Sequence, residues 1–533
     1  MERPVSSELN RPSGKDDSVE TTGDEKLAAI LVDSKPNQWG GGYLRMYLCC
    51  ALVFLSSTMN GLDGSLMGSI NTLPNYVKYY DLPPTGNAGT GIVFAIFNVG
   101  QMVGALFIWI ADWKGRRLPI FLGCFGVCVA TILTALAPTL SVFIGGRFLL
   151  SFFAILACTA APLYIIEIAP PQYRATVAGM YNTFYYLVRG IPAAPLSLRH
   201  PFTGHTNVSR TREIGTGVSP YGFKCSVRGS LIGKERNNEA RAILTQYHAN
   251  GDENHPLVQL EMAEMAESLR QEGMLTWRNF IDLRVLFKTR ARRYRMMLNI
   301  TFSWFGQFSG NNVASYYLPY LLENVGVTDT DTKLLLNIIY AITGWIPAMI
   351  GARCHDIIGR RKMLLGCTAG MAVSLAIAAG TAADYTNTGS KSSSSASIAF
   401  IYVFGSVFAF AFTSMQPIYP GEVMSNDMRA RGMGVWQLTA GAAGFVNTFA
   451  APVALKNIKY WFYVFFVFWD VFEFLFIYFF YVETKGRTLE ELDAVFEAPN
   501  PRKASTAAII LRRERELKDI SNPGEGVKAE EGV

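Results

Sequence analysis

Asp63 stands inside an apolar run, residues 44–68, where an ionised side chain is costly and is by default a candidate for function. A carboxyl whose surroundings differ between two conformations can take up a proton in one and release it in the other. A structural ion pair, or a cap on a kink flanked by Gly61 and Gly64, would also account for it. Gln307, Asn312 and Tyr316 lie in another such run, at spacings of five and four, so one helical face can present all three. Each amide offers two donors and an acceptor, which suits a ligand rich in hydroxyl groups. Amides in a membrane also serve as glue between helices. Asp470 and Glu473 stand three residues apart in the last apolar run. Two like charges on one face repel, so at least one is expected to be protonated or partnered. A second proton site and simple packing of neutral or partnered acids are both open.

Other chemistry is poorly supported. The eight cysteines form no CxxC pair and mostly sit in apolar runs, as small apolar filler. All five histidines lie outside those runs, so neither a metal site nor a histidine relay in the membrane is expected. No nucleophile–base pair or cofactor loop is present, so an enzyme is not expected, nor is a cofactor other than a coupling proton.

The elements that must position these residues are membrane helices. Hydrophobic residues make up 50% of the 533, charged residues only 17%, and mean hydropathy is +0.20. A soluble chain carries about 25% charged residues. The net charge of +6 is modest and its basic residues lie in short clusters, which argues against a nucleic-acid partner. Runs long enough to cross a bilayer at about 20 residues each fall near 44–68, 88–111, 118–138, 141–168 and 173–188, then 296–322, 334–353, 363–384, 397–420, 432–454 and 459–482. Residues 1–43 read as a disordered cytosolic tail without a signal-peptide pattern, 44–188 as a first bundle, 231–295 as a cytosolic helical loop, 296–482 as a second bundle, and 483–533 as a cytosolic tail. Lys114, Arg116, Arg117, Arg360, Arg361, Lys362, Arg429 and Arg431 mark the turns expected on the cytosolic side.

The halves repeat. Asp112-Trp-Lys-Gly115-Arg116-Arg117 matches Asp356-Ile-Ile-Gly359-Arg360-Arg361. Glu167 stands seven residues before Arg174, and Glu422 seven before Arg429. Duplicated halves are the signature of a secondary transporter with its site between them.

These motifs, with Asn60-Gly-Leu-Asp63-Gly, Gly146-Arg147, Pro162-Leu-Tyr-Ile-Ile-Glu167, Gln307-Phe-Ser-Gly310-Asn-Asn312 before Tyr316-Tyr317, Tyr419-Pro-Gly-Glu422 and Val482-Glu-Thr-Lys-Gly-Arg-Thr-Leu-Glu-Glu491, resemble the sugar porter family of the major facilitator superfamily. Together they span most of the chain. Within that family the chain looks most like fungal lactose permease and related disaccharide porters.

The resemblance implies an all-α membrane protein of two six-helix bundles, importing a sugar with a proton by alternating access. It implies a plasma-membrane location with both termini cytosolic, and no partner beyond sugar and bilayer. It places Arg147 opposite Asp63 as the residue that tunes it in proton-coupled members. It implies sugar binding at Gln307, Asn312 and Tyr316, and matches Asn182 to a further family amide. The Asp-x-x-Gly-Arg-Arg turns and the Glu167/Arg174 and Glu422/Arg429 pairs are expected to form a cytosolic gate that biases the two access states; anchoring by the basic residues is the plainer alternative.

The chain also departs from hexose porters. Gly306 replaces the first of two glutamines, Pro417 replaces an aromatic before Glu422, and Ala440-Gly-Ala-Ala-Gly-Phe-Val-Asn447 lacks a tryptophan. Smaller side chains leave a roomier pocket and favour a disaccharide, such as a β-galactoside or β-glucoside, with Asn447 as an added polar contact.

Residues 189–230 break the pattern. They hold Arg189, Arg199, Arg210, Arg212, Lys224 and Arg228, several Pro and Gly, and no spanning run. A sixth helix is expected there, followed by a PESPRWL motif, and Ser226-Val-Arg-Gly-Ser230 stands in its place. Placing both Asp-x-x-Gly-Arg-Arg turns in the cytosol needs an even number of crossings between them, and five runs in the first half fail that parity. The stretch is either out of frame or mis-spliced in the deduced sequence, or a true variant without its sixth helix, inactive as a transporter. The Asn207-Val-Ser209 sequon carries little weight there. Uncoupled hexose diffusion and a non-transporting sugar receptor are the remaining alternatives. The Asp63 and Arg147 pairing argues against the first, and a short tail beyond 492 against the second.

Overall fold

The computed structural model describes residues 37, 39–70, 74–81, 88–108, 110–113, 115–169, 174–187, 237–252, 254–263, 282–327, 329–416, 418–458, 460–485 and 489–506. The anomalous stretch 189–230 lies outside them. Among the described residues there is no strand. The first half holds α1 (Gly41–Ile70), α2 (Pro74–Tyr79), α3 (Ala88–Ala105), α4 (Ile110–Trp113), α5 (Arg117–Ala135), α6 (Leu140–Ile168) and α7 (Arg174–Leu187). The connecting region holds α8 (Asn237–His248). The second half holds α9 (Arg290–Phe308), α10 (Asn311–Tyr316), α11 (Leu318–Asn324), α12 (Thr330–Ile358), α13 (Arg360–Thr388), α14 (Lys391–Phe408), α15 (Tyr419–Val423), α16 (Asn426–Ile458), α17 (Trp461–Phe480) and α18 (Leu489–Glu497).

Every expected apolar run carries a helix. Eight of the described helices are long and apolar enough to cross a membrane. Their outward faces carry large apolar side chains such as Phe121, Phe125 and Phe468. In water that surface would be a fault; in lipid it is the solvated face. Local sequence fixes the ends. Asp329 caps α12 by accepting from the Thr332 backbone N–H at 2.8 Å and its hydroxyl at 2.6 Å. Those bonds hold the Asp329 carboxyl below its usual range. Thr139 caps α6 and Thr289 caps α9 in the same way.

The helices pack as two groups. Tyr43, Met46, Ala157, Ala161, Tyr164 and Tyr181 centre the first core. Phe302, Phe404, Phe412, Tyr419 and Tyr481 centre the second. The groups meet where α3 lies on α16 and α7 on α12. The first helix begins at Gly41 rather than at residue 44. Its start is held by α8 and the turn after it: the Gly42 N–H donates to Asn250 Oδ1 at 3.2 Å, and Asn250 Nδ2 to the Asn37 carbonyl at 2.8 Å. His248 at the end of α8 bonds Glu261 through Nδ1 at 2.9 Å and the Ile168 carbonyl through Nε2 at 2.6 Å. That contact ties the connecting helices to the end of α6.

Candidate functional site

The polar residues of the second half gather at a break in its first helix. α9 ends at Phe308, Gly310 adopts φ +97°, and α10 starts afresh at Asn311. Glycine is suited to that left-handed position, since a side chain there would be strained and its Cβ would approach Phe466 at 3.3 Å. The expectation of one unbroken helical face is therefore corrected: Gln307 lies before the break, Asn312 and Tyr316 after it. The break still brings the amides together. Asn312 Nδ2 donates to Gln307 Oε1 at 2.9 Å and to the Gln307 carbonyl at 3.1 Å. Asn447, 2% exposed on α16, donates to the same carbonyl at 2.9 Å. That carbonyl has lost its regular helical partner at the break, and the two amides replace it. Gln307, Asn312 and Tyr316 are half-buried, and the Tyr316 ring packs on Phe94 of α3 at 5.6 Å.

A second amide pair crosses between the bundles. Asn182 of α7 donates through Nδ2 to the Thr413 carbonyl at 2.6 Å and to Gln416 Oε1 at 3.3 Å. Tyr186, one turn on, meets the Thr413 hydroxyl at 3.3 Å. Two features of the sequence expose Thr413. Residues Ala409–Thr413 form a π-helical turn. The residue four beyond Thr413 is Pro417, which has no N–H to offer its carbonyl. Sequence reading singled out Asn182 but not its partner Gln416, although a lone amide between apolar Met415 and Pro417 was a readable signal.

In the first half, Arg147 is 2% exposed. Its Nε donates to the Val93 carbonyl at 3.0 Å, and its guanidinium lies 5.5 Å from the centre of the Phe97 ring. Asp63 falls in α1, which runs unbroken past Gly61; a Cβ at Gly61 would lie 1.9 Å from the Tyr185 carbonyl oxygen, so that glycine lets α1 and α7 approach closely. The Asp63 side chain lies outside the described residues, as do those of Asp112, Glu167 and Arg174.

The repeated motifs of the second half form one network at the end of α12. Gly359 has φ +100°, and a Cβ there would lie 2.7 Å from Glu483 Oε2. The Glu483 carboxylate uses that space to accept from the backbone N–H groups of Arg360 at 2.9 Å and Arg361 at 3.2 Å, at the positive end of α13. Arg360 grips Glu422 with Nη2 at 2.6 Å and Nε at 3.0 Å, and reaches Asp356 at 3.0 Å. The Thr484 hydroxyl donates to Glu422 Oε2 at 2.6 Å, and Lys485 Nζ to the Ile357 carbonyl at 2.6 Å. Burial pushes the Glu422 carboxyl up, and the Arg360 guanidinium opposes it. Arg361 donates to the Tyr478 carbonyl at 2.7 Å, and Arg429 to the Gly421 carbonyl at 3.1 Å. The motif residues thus bridge the ends of α12, α13, α15, α16 and α17. Gly115, at the matching place in the first half, has φ +88°, and Arg116 and Arg117 beside it are half-buried.

Asp470 and Glu473 are both fully buried in α17 rather than facing lipid. Glu473 Oε1 accepts from Trp469 Nε1 at 2.5 Å. Among the described residues neither Asp470 oxygen has a hydrogen-bond partner. A cavity of about 310 Å³ lies elsewhere, lined by Val325, Ala382, Tyr385 and Tyr463 among others, and includes none of the amides above. No group of His, Cys, Asp and Glu that could hold a metal occurs among the described residues.

Lipid-facing bundles of duplicated plan, with amides at their junction and an ionic network at helix ends, define a multi-pass membrane transporter. The chain belongs to the sugar (and other) transporter family, whose model matches residues 49–496, and is a sugar porter of the major facilitator superfamily. Members of that family move solutes; they are not enzymes and need no cofactor. The chain is 25% identical to the MFS-type transporter oryC of Aspergillus oryzae, covering 89% of each chain. It is 23% identical to the low-affinity glucose transporter HXT1 of Saccharomyces cerevisiae, over 96% of this chain and 92% of the relative. A quinate permease of Neurospora terricola is 24% identical, over 85% and 89%. Among solved structures, the proton:xylose symporter XylE bound to 6-bromo-6-deoxy-D-glucose superposes with a TM-score of 0.70 at 19% identity, over 85% of this chain and 99% of that one. The partially occluded inward-open form of XylE from E. coli gives 0.65 at 19% identity, over 83% and 99%.

Proposed function

We propose that the protein imports a sugar with a proton by alternating access, and that the sugar is a disaccharide. The observation that carries this reading is the amide cluster of Gln307, Asn312 and Asn447, with Asn182 and Gln416 bonded across the bundle boundary. Neutral amides present donors and acceptors without a fixed charge, which suits a polyol. No cationic side chain is bonded to these amides among the described residues, which weighs against a carboxylate substrate such as that of the quinate permeases. Gly306 leaves room beside Gln416 for a second ring, whereas Gly441 and Gly444 face Met102 and Asn98 of α3 and leave none. Gln307 and Asn312 are the ligands in this reading, Tyr316 a flanking contact, and Asn447 the support that holds Gln307.

Asp63 is the proton carrier and Arg147 tunes it. The Arg360–Glu422–Glu483 network and its first-half counterpart, with Asp112, Glu167 and Arg174, hold the cytosolic gate. The protein resides in the plasma membrane with both termini cytosolic. Uptake of labelled lactose, cellobiose, maltose and glucose into intact cells, with and without a proton uncoupler, tests the whole reading. Uphill accumulation of a disaccharide that collapses with the uncoupler is expected. Asp63→Asn is expected to abolish accumulation while exchange of sugar across the membrane continues. An Asp63→Asn protein that still concentrates sugar would sink the coupling assignment, and equal uptake with the uncoupler would favour an uncoupled facilitator.

A further inference from the structure

We infer that Gln416 is a specificity-determining residue that donates a hydrogen bond to a substrate hydroxyl in the space beside Gly306. The inference rests on the sugar-transport reading and extends it to a residue outside the motifs that led to that reading.

The orientation of the Gln416 amide follows from its neighbours. The Thr413 carbonyl can only accept, so the Asn182 atom 2.6 Å from it is the amide nitrogen. That same nitrogen faces Gln416 at 3.3 Å, so the Gln416 atom there is the oxygen. Its Nε2 is thereby turned away from α7. Seen from Gly306, a Cβ on that glycine would find Gln416 Nε2 at 3.5 Å and, its own helix aside, no other atom of a described residue within 4 Å. Gly306 is the residue immediately before Gln307. The amide nitrogen therefore borders space that no described residue fills, next to the Gln307–Asn312 pair, and it donates no hydrogen bond to a described residue. The backbone that sets it there is itself special. The π-helical turn and the proline at 417 leave Thr413 O for Asn182, and Asn182 in turn holds the Gln416 oxygen. An amide on the second half's other wall thus faces the gap left by glycine on α9.

The test uses the full-length protein in cell membranes, with uptake of a labelled disaccharide competed by its singly deoxygenated derivatives. Gln416→Glu keeps the shape and the oxygen facing Asn182 but removes both donors. It is expected to raise KM about ten-fold, the loss of one hydrogen bond in a dry site, with Vmax largely kept. One deoxy derivative should be weak against the wild type and no weaker against the variant. Gly306→Ala serves as a second probe, because a methyl there meets Gln416 only at ordinary contact distance. It should raise KM for the parent sugar several-fold, and for that same derivative less. A variant whose KM rises equally for every derivative, or does not rise at all, overturns the assignment while leaving sugar transport standing. A wild-type protein that takes up no sugar overturns both.

Discussion

At the scale of single residues, burial and partner count decide what each polar group does. Asn447 is 2% exposed and spends an amide hydrogen on the Gln307 carbonyl. Asn447→Ala leaves that carbonyl one donor short, at a cost of about 1–2 kcal/mol. The purified protein should melt earlier in detergent and bind sugar more weakly; an unchanged melting temperature would refute the supporting role. Asp470 presents two buried oxygens that no described residue bonds. An unpartnered buried acid is costly in a low-dielectric helix interface. Asp470→Leu is expected to stabilise by about 1–3 kcal/mol and to leave proton-driven uptake intact. Loss of accumulation in a stable Asp470→Leu protein would instead place this acid in the coupling path.

At the scale of elements, the turns are where sequence motif and geometry meet. Gly359 combines φ +100° with a Glu483 carboxylate 2.7 Å from where a Cβ would sit. Gly359→Ala therefore strains the backbone and displaces the cap of α13, for a loss of about 1–3 kcal/mol; thermal melting and surface expression should both fall. His248 joins α8 to Glu261 and to the Ile168 carbonyl at the end of α6. His248→Ala leaves a buried carboxylate without its partner and is expected to loosen α8. Faster proteolysis between residues 237 and 263 would report that, and an unchanged digestion pattern would show α8 held by its apolar contacts alone. The helical stretches were legible from hydropathy. The break at Gly310 was not, because Gly in an apolar run reads equally as close packing, and the φ that marks it is a tertiary outcome.

At the scale of the whole molecule, topology is the sharpest question the chain poses. Cysteine labelling at Arg361 and at Thr388, at opposite ends of α13, should give opposite sidedness, with Arg361 protected from an impermeant reagent in intact cells. Labelling of Arg117 on the same side as Arg361 requires an even number of crossings between them, and so a spanning segment between α7 and α9. Sequencing the transcript across codons 186–232 addresses the same point at its source. A frame that restores an apolar helix there is expected to give the transporting protein; a transcript that encodes the stretch as written, together with absent sugar uptake, would overturn the import reading.

Composition and patterning alone determined that this is a membrane protein of two related halves. Apolar length and charge clustering are local properties, readable without knowing what packs against what. Motif spacing likewise located Gln307, Asn312 and the Arg360 turn. Only the tertiary structure decided which polar groups meet. It paired Glu422 with Arg360, set Glu483 against Gly359, and turned Gln416 toward Gly306. Those partners lie from 62 to 124 residues apart in sequence. A hydrogen bond depends on distances of a few tenths of an ångström, and such distances are set by helix packing rather than by sequence neighbours.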